Sequence, residues 1–180
     1  MGKISLDIDG VLTDYPRCWI DFLNQSLGTN FVSKEEARTS LGDVEYSRVK
    51  NAYRTSEYKA TLPVNDGSES FVNALRDAQH TVIIATSRPI DDTRYPKLRD
   101  MTESWLRTRD VPFTHLIKKN MDIHLIEQLS DINLHLDDEP EYVDYLLQHG
   151  IPAALYDPRS QHKREERFVS FDDVLEYLRS

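Results

Sequence analysis

One cysteine, Cys18, is all that the 180-residue chain contains, so no disulfide can form within it, as suits a reducing compartment. Long apolar runs are missing too. None follows a basic N-terminal segment, and none approaches the roughly 20 residues needed to span a bilayer. Neither export nor a membrane partner is expected, and the cytoplasm is the expected location. Positive charge is in deficit: 22 lysines and arginines face 31 aspartates and glutamates, for a net charge of −9. Nonspecific nucleic-acid binding is disfavoured on such a balance, because it depends on basic groups that displace counterions from phosphates. A nucleotide stays open as a small substrate. Internal repeats and low-complexity tracts are also absent. What is present is a hydrophobic content of 39%, enough at this length for one core with a small appendage.

The stretch from Lys3 to Asp14 organises the rest. Ile4, Leu6 and Ile8 alternate with polar neighbours as a strand does, and Gly10 supplies the freedom for a tight reversal. Asp7 and Asp9 therefore stand at a strand's end, the edge where open α/β folds place ligands. Being two residues apart, their side chains approach each other only if the backbone leaves strand geometry between them. A turn at Gly10 makes that possible.

Residues 16–62 carry helical spacing and no strand signal. Trp19, Phe22, Leu23 and Leu27 mark one helix ended by Gly28, and Ser33 with Glu36 opens a second that runs through Leu41. A third is expected from Val44 to Tyr58. So long a segment exceeds what a crossover connection requires, which favours an inserted small helical cap over a plain connection. The expected division is a core of residues 1–15 and 63–180 with a cap of residues 16–62. From Leu62 onward helix and strand alternate: a helix through Phe71, Leu75 and Ala78, and a strand at Thr81–Ala85. Then follow a helix through Leu98, Met101 and Trp105, a strand at Phe113–Ile117, a helix at Met121–Leu129 and a strand at Ile132–Leu136. Pro140 opens a helix that Gly150 ends, Ala153–Tyr156 is a strand, and Ser170 with Asp173 starts the last helix. This order predicts a parallel sheet with helices on both faces.

Three further polar groups directly follow strands. Thr86-Ser87-Arg88-Pro89 offers hydroxyls, backbone N–H groups and a guanidinium to phosphoryl oxygens, although the same tetrapeptide also reads as a capped turn. Lys118 and Lys119 follow the third strand, and only one of two consecutive side chains can face the site. Lys119 is preferred because it adjoins the expected start of the next helix, near Asn120, where the dipole favours an anion. Asp137 and Asp138 end the fourth strand, and a divalent cation would relieve the repulsion between them. The six histidines show no paired metal-ligand spacing. Cys18 reads as a small core residue. Arg159, His162, Lys163, Arg164 and Arg167 form a basic run that reads as a solvated loop balanced by Glu165 and Glu166.

The order of acidic pair, hydroxyl, lysine and acidic pair, each at a strand's end, resembles the four successive motifs of the haloacid dehalogenase (HAD) superfamily, beginning with Asp7-Ile8-Asp9-Gly10-Val11-Leu12-Thr13. Ala85 to Pro89, Trp105-Leu106, Val111-Pro112-Phe113 and Leu136 to Pro140 are similar to the 5′-nucleotidase-like and polynucleotide 3′-phosphatase-like branches. The resemblance implies a Rossmann-like α/β fold and a Mg²⁺-dependent phosphatase acting on a small phosphorylated substrate. In that reading Asp7 is the nucleophile that becomes an aspartyl-phosphate, and Asp9 protonates the leaving group and later activates water. Thr86, Ser87, Arg88 and Lys119 or Lys118 bind the phosphate. Mg²⁺ is held by Asp7, the Asp9 carbonyl and Asp137, with Asp138 acting indirectly or through water. Glu141 occupies a position that is often acidic in the last motif. Two alternatives are a phosphate-binding regulatory module without turnover, and a 3′-phosphatase of polynucleotide ends that works with a partner.

Overall fold

The computed structural model describes residues 2–164 and 167–180. Six strands form one sheet in the order β3-β2-β1-β4-β5-β6, and every pairing is parallel. They are β1 (Lys3–Leu6), β2 (Thr81–Thr86), β3 (Phe113–Lys118), β4 (Leu134–Asp137), β5 (Ala153–Tyr156) and β6 (Arg167–Phe168). The helices that connect them are α1 (Arg17–Leu27), α2 (Lys34–Thr55), α3 (Ser68–Asp77), α4 (Leu98–Thr108), α5 (Ile123–Leu129), α6 (Pro140–Gln148) and α7 (Phe171–Arg179). A 3₁₀ turn at Glu57–Ala60 follows α2. β1 lies at the centre, with β2 on one side and β4 on the other, so its C-terminal end marks the topological switch point of the sheet.

Alternation along each strand divides the apolar side chains between two layers. Val82, Ile84, Leu134, Leu136, Ala154 and Tyr156 enter the larger core with residues of α3, α4 and α7. Ile83, Ala153 and Leu155 point the other way, onto Leu125 and Leu129 of α5 and Val143 and Leu146 of α6. Strands buried on both faces need apolar side chains at successive positions, which is why Val82 to Ala85 are all buried.

The segment between β1 and α3 packs on the larger core through Trp19, Leu23, Val49 and Tyr53. Gly28 ends α1 in the left-handed conformation, and the Ser33 hydroxyl accepts from the Glu36 N–H to start α2. α2 is broken at Gly42, with φ 73° and ψ 162°. The two expected helices on either side of residue 42 are thus two arms of one bent element, and the second ends at Thr55 rather than Tyr58. On the core side of the insertion, the Trp105 indole N–H donates to the Leu62 carbonyl at 2.9 Å.

One expectation fails locally, and one strand has no counterpart among those expected. α5 begins at Ile123, where the Asp122 side chain accepts from the Leu125 N–H, so no helix start lies at Asn120. β6 is only two residues long, too short for periodicity to reveal. Of the basic run, Arg159 pairs with Asp14 at 2.8 Å and Arg164 with Asp144, while Glu165 and Glu166 lie outside the described residues.

Candidate active site

The backbone leaves strand geometry directly after β1. Leu12 and Thr13 both donate to the Ile8 carbonyl, at 2.8 and 2.9 Å, and the Gly10 N–H donates to the Thr13 carbonyl at 3.1 Å. Gly10 has φ 100°, and a Cβ at this position would collide with the Asp138 carboxylate. Glycine is therefore required twice over, by its backbone angle and by the side chain packed against it.

Asp7, Asp137 and Asp138 converge at the C-terminal edge of the sheet, and one carboxylate oxygen from each lies within 4.8 Å of the others. The Lys119 ammonium lies among them, 2.6 Å from Asp137 Oδ2, 3.1 Å from Asp7 Oδ2 and 3.6 Å from Glu139 Oε2. The Lys119 backbone N–H donates to the Thr86 carbonyl at 2.8 Å, which extends the β2–β3 alignment by one residue and sets the Lys119 side chain opposite to that of Lys118. Pairing with Thr86, not a helix start, places Lys119. Lys118 joins no ion pair among the described residues.

One ammonium cannot satisfy three clustered carboxylates. Asp137 takes the larger share: burial alone would raise its pKa, but Lys119 and His135 hold it low. Asp7 is pushed up to about 8 by burial and by the charges of Asp137 and Asp9, against the pull of Lys119. Asp138 is raised well above the usual carboxylate range by burial and by Asp7 and Asp137. Both oxygens of Asp137 are engaged, Oδ2 by Lys119 and by His135 Nε2 at 2.8 Å, and Oδ1 by the Glu139 N–H at 3.0 Å. Asp7 Oδ1 and Asp138 Oδ1 are buried with no hydrogen-bond partner among the described residues. Buried polar atoms are rarely left so. An all-oxygen set with two orphaned carboxylate oxygens and an excess of negative charge fits a hard divalent cation such as Mg²⁺.

Asp9 lines a cleft beneath the inserted segment. Arg88 grips it with two hydrogen bonds, Nη2 to Oδ1 at 2.6 Å and Nε to Oδ2 at 2.8 Å, and Lys59 Nζ lies 3.3 Å from Oδ2. The Thr13 hydroxyl adds a contact at 3.2 Å. Burial would raise the pKa of Asp9, but Arg88 and Lys59 outweigh it and keep the carboxylate ionised. The Thr86 hydroxyl is buried and accepts from the Arg88 N–H at 3.2 Å, and exposed Ser87 lines the cleft. Glu141 is exposed on α6; Glu139 is the acidic residue that reaches Lys119.

Sequence reasoning missed the partners that surround these groups. His135 bridges the Ser5 hydroxyl, 2.9 Å away, to Asp137, and its place in alternation with Asp137 on β4 was a usable signal. Lys59, Lys50 and Arg54 line the cleft, yet in sequence they look like ordinary cations of a helical segment.

No protein-family model matches the chain, and no curated protein matches it in sequence. Among solved structures it is similar to the HAD-hydrolase YfnB from Bacillus subtilis bound to magnesium, with a TM-score of 0.70, 11% identity and 99% of each chain covered. CbbY from Rhodobacter sphaeroides in complex with phosphate aligns with a TM-score of 0.63 and 14% identity, over 97% of this chain and 96% of the other. An HAD phosphatase from Thermococcus onnurineus aligns with a TM-score of 0.60 and 17% identity, over 99% and 98%. The fold is that of the HAD hydrolases and phosphatases. No helix among the described residues is long and apolar enough to cross a membrane.

Proposed function

We propose that the chain is a Mg²⁺-dependent phosphatase that hydrolyses a small phosphate monoester through an aspartyl-phosphate on Asp7. One observation carries this reading: Lys119 neutralises Asp137 and touches Asp7, while Asp7 Oδ1 and Asp138 Oδ1 stay buried and unpartnered beside it. A purely structural ion-pair network gains nothing from orphaned carboxylate oxygens. A site shaped to receive a cation and a phosphate does.

The free oxygens favour Asp7 and Asp138 as direct ligands, with the Asp9 carbonyl as a third. Asp137, already engaged by Lys119 and His135, then serves mainly to hold the lysine. When bound, Mg²⁺ would offset the charge of the carboxylates and of the approaching phosphate and keep Asp7 ionised at neutral pH. The Asp7 carboxylate attacks phosphorus in line, and the ester oxygen departs with a proton from Asp9. Water then attacks the aspartyl-phosphate, gives its proton to Asp9, and releases inorganic phosphate and Asp7. Arg88 and Lys59 keep Asp9 ionised and oriented before substrate arrives, so the proton delivered to the leaving oxygen enters with a monoanionic ester or from solvent. In this reading Lys119 and the Thr86 hydroxyl receive phosphoryl oxygens.

The test is hydrolysis of an aryl phosphate by purified protein with and without Mg²⁺, alongside Asp7→Asn. Activity should require the metal and vanish in Asp7→Asn with folding intact. Borohydride reduction of acid-quenched turnover mixtures should convert Asp7 to homoserine. Substantial hydrolysis by Asp7→Asn would refute the covalent mechanism.

A further inference from the structure

The cleft over Asp9 has a charge that hydrolysis of a simple monoester does not call for. Four cations line it, Lys50, Arg54, Lys59 and Arg88, against two carboxylates, Asp9 and Glu139, in a chain whose net charge is −9. Lys59 and Arg88 are matched by Asp9. Lys50 and Arg54 have no carboxylate partner among the described residues. Lys50 Nζ donates to the Tyr15 hydroxyl at 3.1 Å and Arg54 Nη1 to the Tyr95 hydroxyl at 3.1 Å, so each is held by a neutral group. They sit four residues apart on α2, which puts like charges on one helical face.

Lys50 is held at a cost in this cleft. Burial, together with the nearby charge of Lys59, pushes the Lys50 ammonium down to about 7. Two positive groups without a carboxylate partner among the described residues, lining a cavity and anchored by phenols, are placed for an anion that arrives from outside. A flat aromatic group fits less well, because the rings that could stack with it are already covered. Lys50 Nζ lies 4.3 Å from the Trp19 ring centroid and 4.8 Å from that of Tyr15, and Lys59 Nζ lies 4.6 Å from that of Tyr53. The cavity, about 100 Å³, has room for a small polar group, since one water-sized occupant needs only ~10–15 Å³.

We infer that Lys50 and Arg54 form a second anion subsite, and that the substrate is a small phosphate monoester whose leaving group carries another anionic group, a carboxylate or a second phosphate. This rests on the phosphatase reading for the position of the scissile phosphate and adds the chemistry of the leaving group. Arg54 contributes a planar fork suited to either oxyanion, and Lys50 a point charge.

Matched esters test it. The carboxylate arm compares 2-phosphoglycolate with ethyl phosphate; the phosphate arm compares propane-1,3-diyl bisphosphate with propyl phosphate. Wild-type protein should favour the doubly anionic member of at least one pair by about tenfold or more in kcat/KM, as a charge-assisted contact allows, and the favoured pair identifies the anion. Lys50→Met, which keeps the aliphatic stem on Trp19, and Arg54→Met should each shrink that preference about tenfold. Equal rates within both pairs, or a preference unaltered in both variants, would overturn the subsite and leave the phosphatase reading intact. If no ester is hydrolysed, the phosphatase reading fails, and calorimetric binding of the same four compounds decides the subsite alone. Tighter binding of a doubly anionic ester that Lys50→Met and Arg54→Met weaken upholds it; its absence overturns it.

Discussion

Lys119 and Asp7 meet at 3.1 Å, Nζ to Oδ2, in a pocket that buries both side chains. Removing the ammonium leaves three carboxylates facing one another without a counter-charge. Lys119→Met should therefore lose activity by orders of magnitude and, in chelator, lose roughly 3–5 kcal/mol of stability, as expected when one partner of a buried pair is deleted. Lys118→Met should stay near wild type in both. Urea denaturation and an aryl phosphate assay on the two proteins test this, and equal losses would displace Lys119 from its assigned place.

Asp137 and Asp138 are neighbours with different employment. Asp138→Asn should weaken Mg²⁺ binding more than Asp137→Asn does, because of these two neighbours it is Asp138 that has an orphaned oxygen. Asp137→Asn should act mainly through Lys119 and lower turnover even at saturating metal. Calorimetric titration with Mg²⁺ separates the two effects, and the reverse ranking would restore Asp137 as the principal ligand. His135→Gln, which loosens the support behind Asp137, should cost roughly 10–100-fold in activity or metal affinity.

Gly10→Ala should both destabilise the protein and weaken its metal affinity. The left-handed backbone at φ 100° costs a β-carbon of order 1–3 kcal/mol, and the new methyl group displaces the Asp138 carboxylate. Thermal unfolding with and without Mg²⁺ measures both, and the stabilising effect of the metal should shrink relative to wild type. An unchanged metal-induced shift would contradict the close packing of Gly10 on Asp138.

Lys50 supplies a pH signature. Its folded-state pKa is lowered from 10.5 to about 7, so between these values the unfolded chain binds the proton that the folded chain has released. Stability contributed by this group therefore rises with pH across that window, by at most about 1.4 kcal/mol per pH unit. Below pH 7 the folded state carries the full cost of the buried charge. Lys50→Met should consequently be more stable than wild type near pH 6, with the advantage shrinking toward pH 10. Denaturation midpoints of both proteins across this range provide the comparison, and a constant difference would show that Lys50 titrates normally.

The fold was legible because its strands are nearly continuous apolar runs, separated by helices with clear caps such as Ser33 and Ser170, both of which accept the predicted N–H. The acidic cluster could be foreseen for a related reason: Asp7 and Asp137 end strands that lie side by side, so their convergence follows from topology. Lys119 reaches the site through strand alternation and its pairing with Thr86, not through a helix dipole, since α5 begins only at Ile123. The surroundings of Asp9 could not be read. Its partner Arg88 lies 79 positions away, and Lys50 and Arg54 of α2, with Lys59 of the following 3₁₀ turn, reach its cleft in a direction that depends on how α2 bends at Gly42 and lies over the core. Periodicity shows which side chains travel together, and only packing shows what they look at.

Lys59 comes from the 3₁₀ turn of the inserted segment, while the carboxylate it approaches belongs to the loop after the first strand. The insertion therefore supplies half of the counter-charge for a group rooted in the sheet. A chimaera carrying residues 16–62 of another protein would inherit an under-neutralised Asp9 unless the graft brought a cation to the same spot. Exchange of this segment between related chains is thus constrained by electrostatics as well as by shape, and a transplant that keeps Lys59 should tolerate far more change elsewhere than one that loses it.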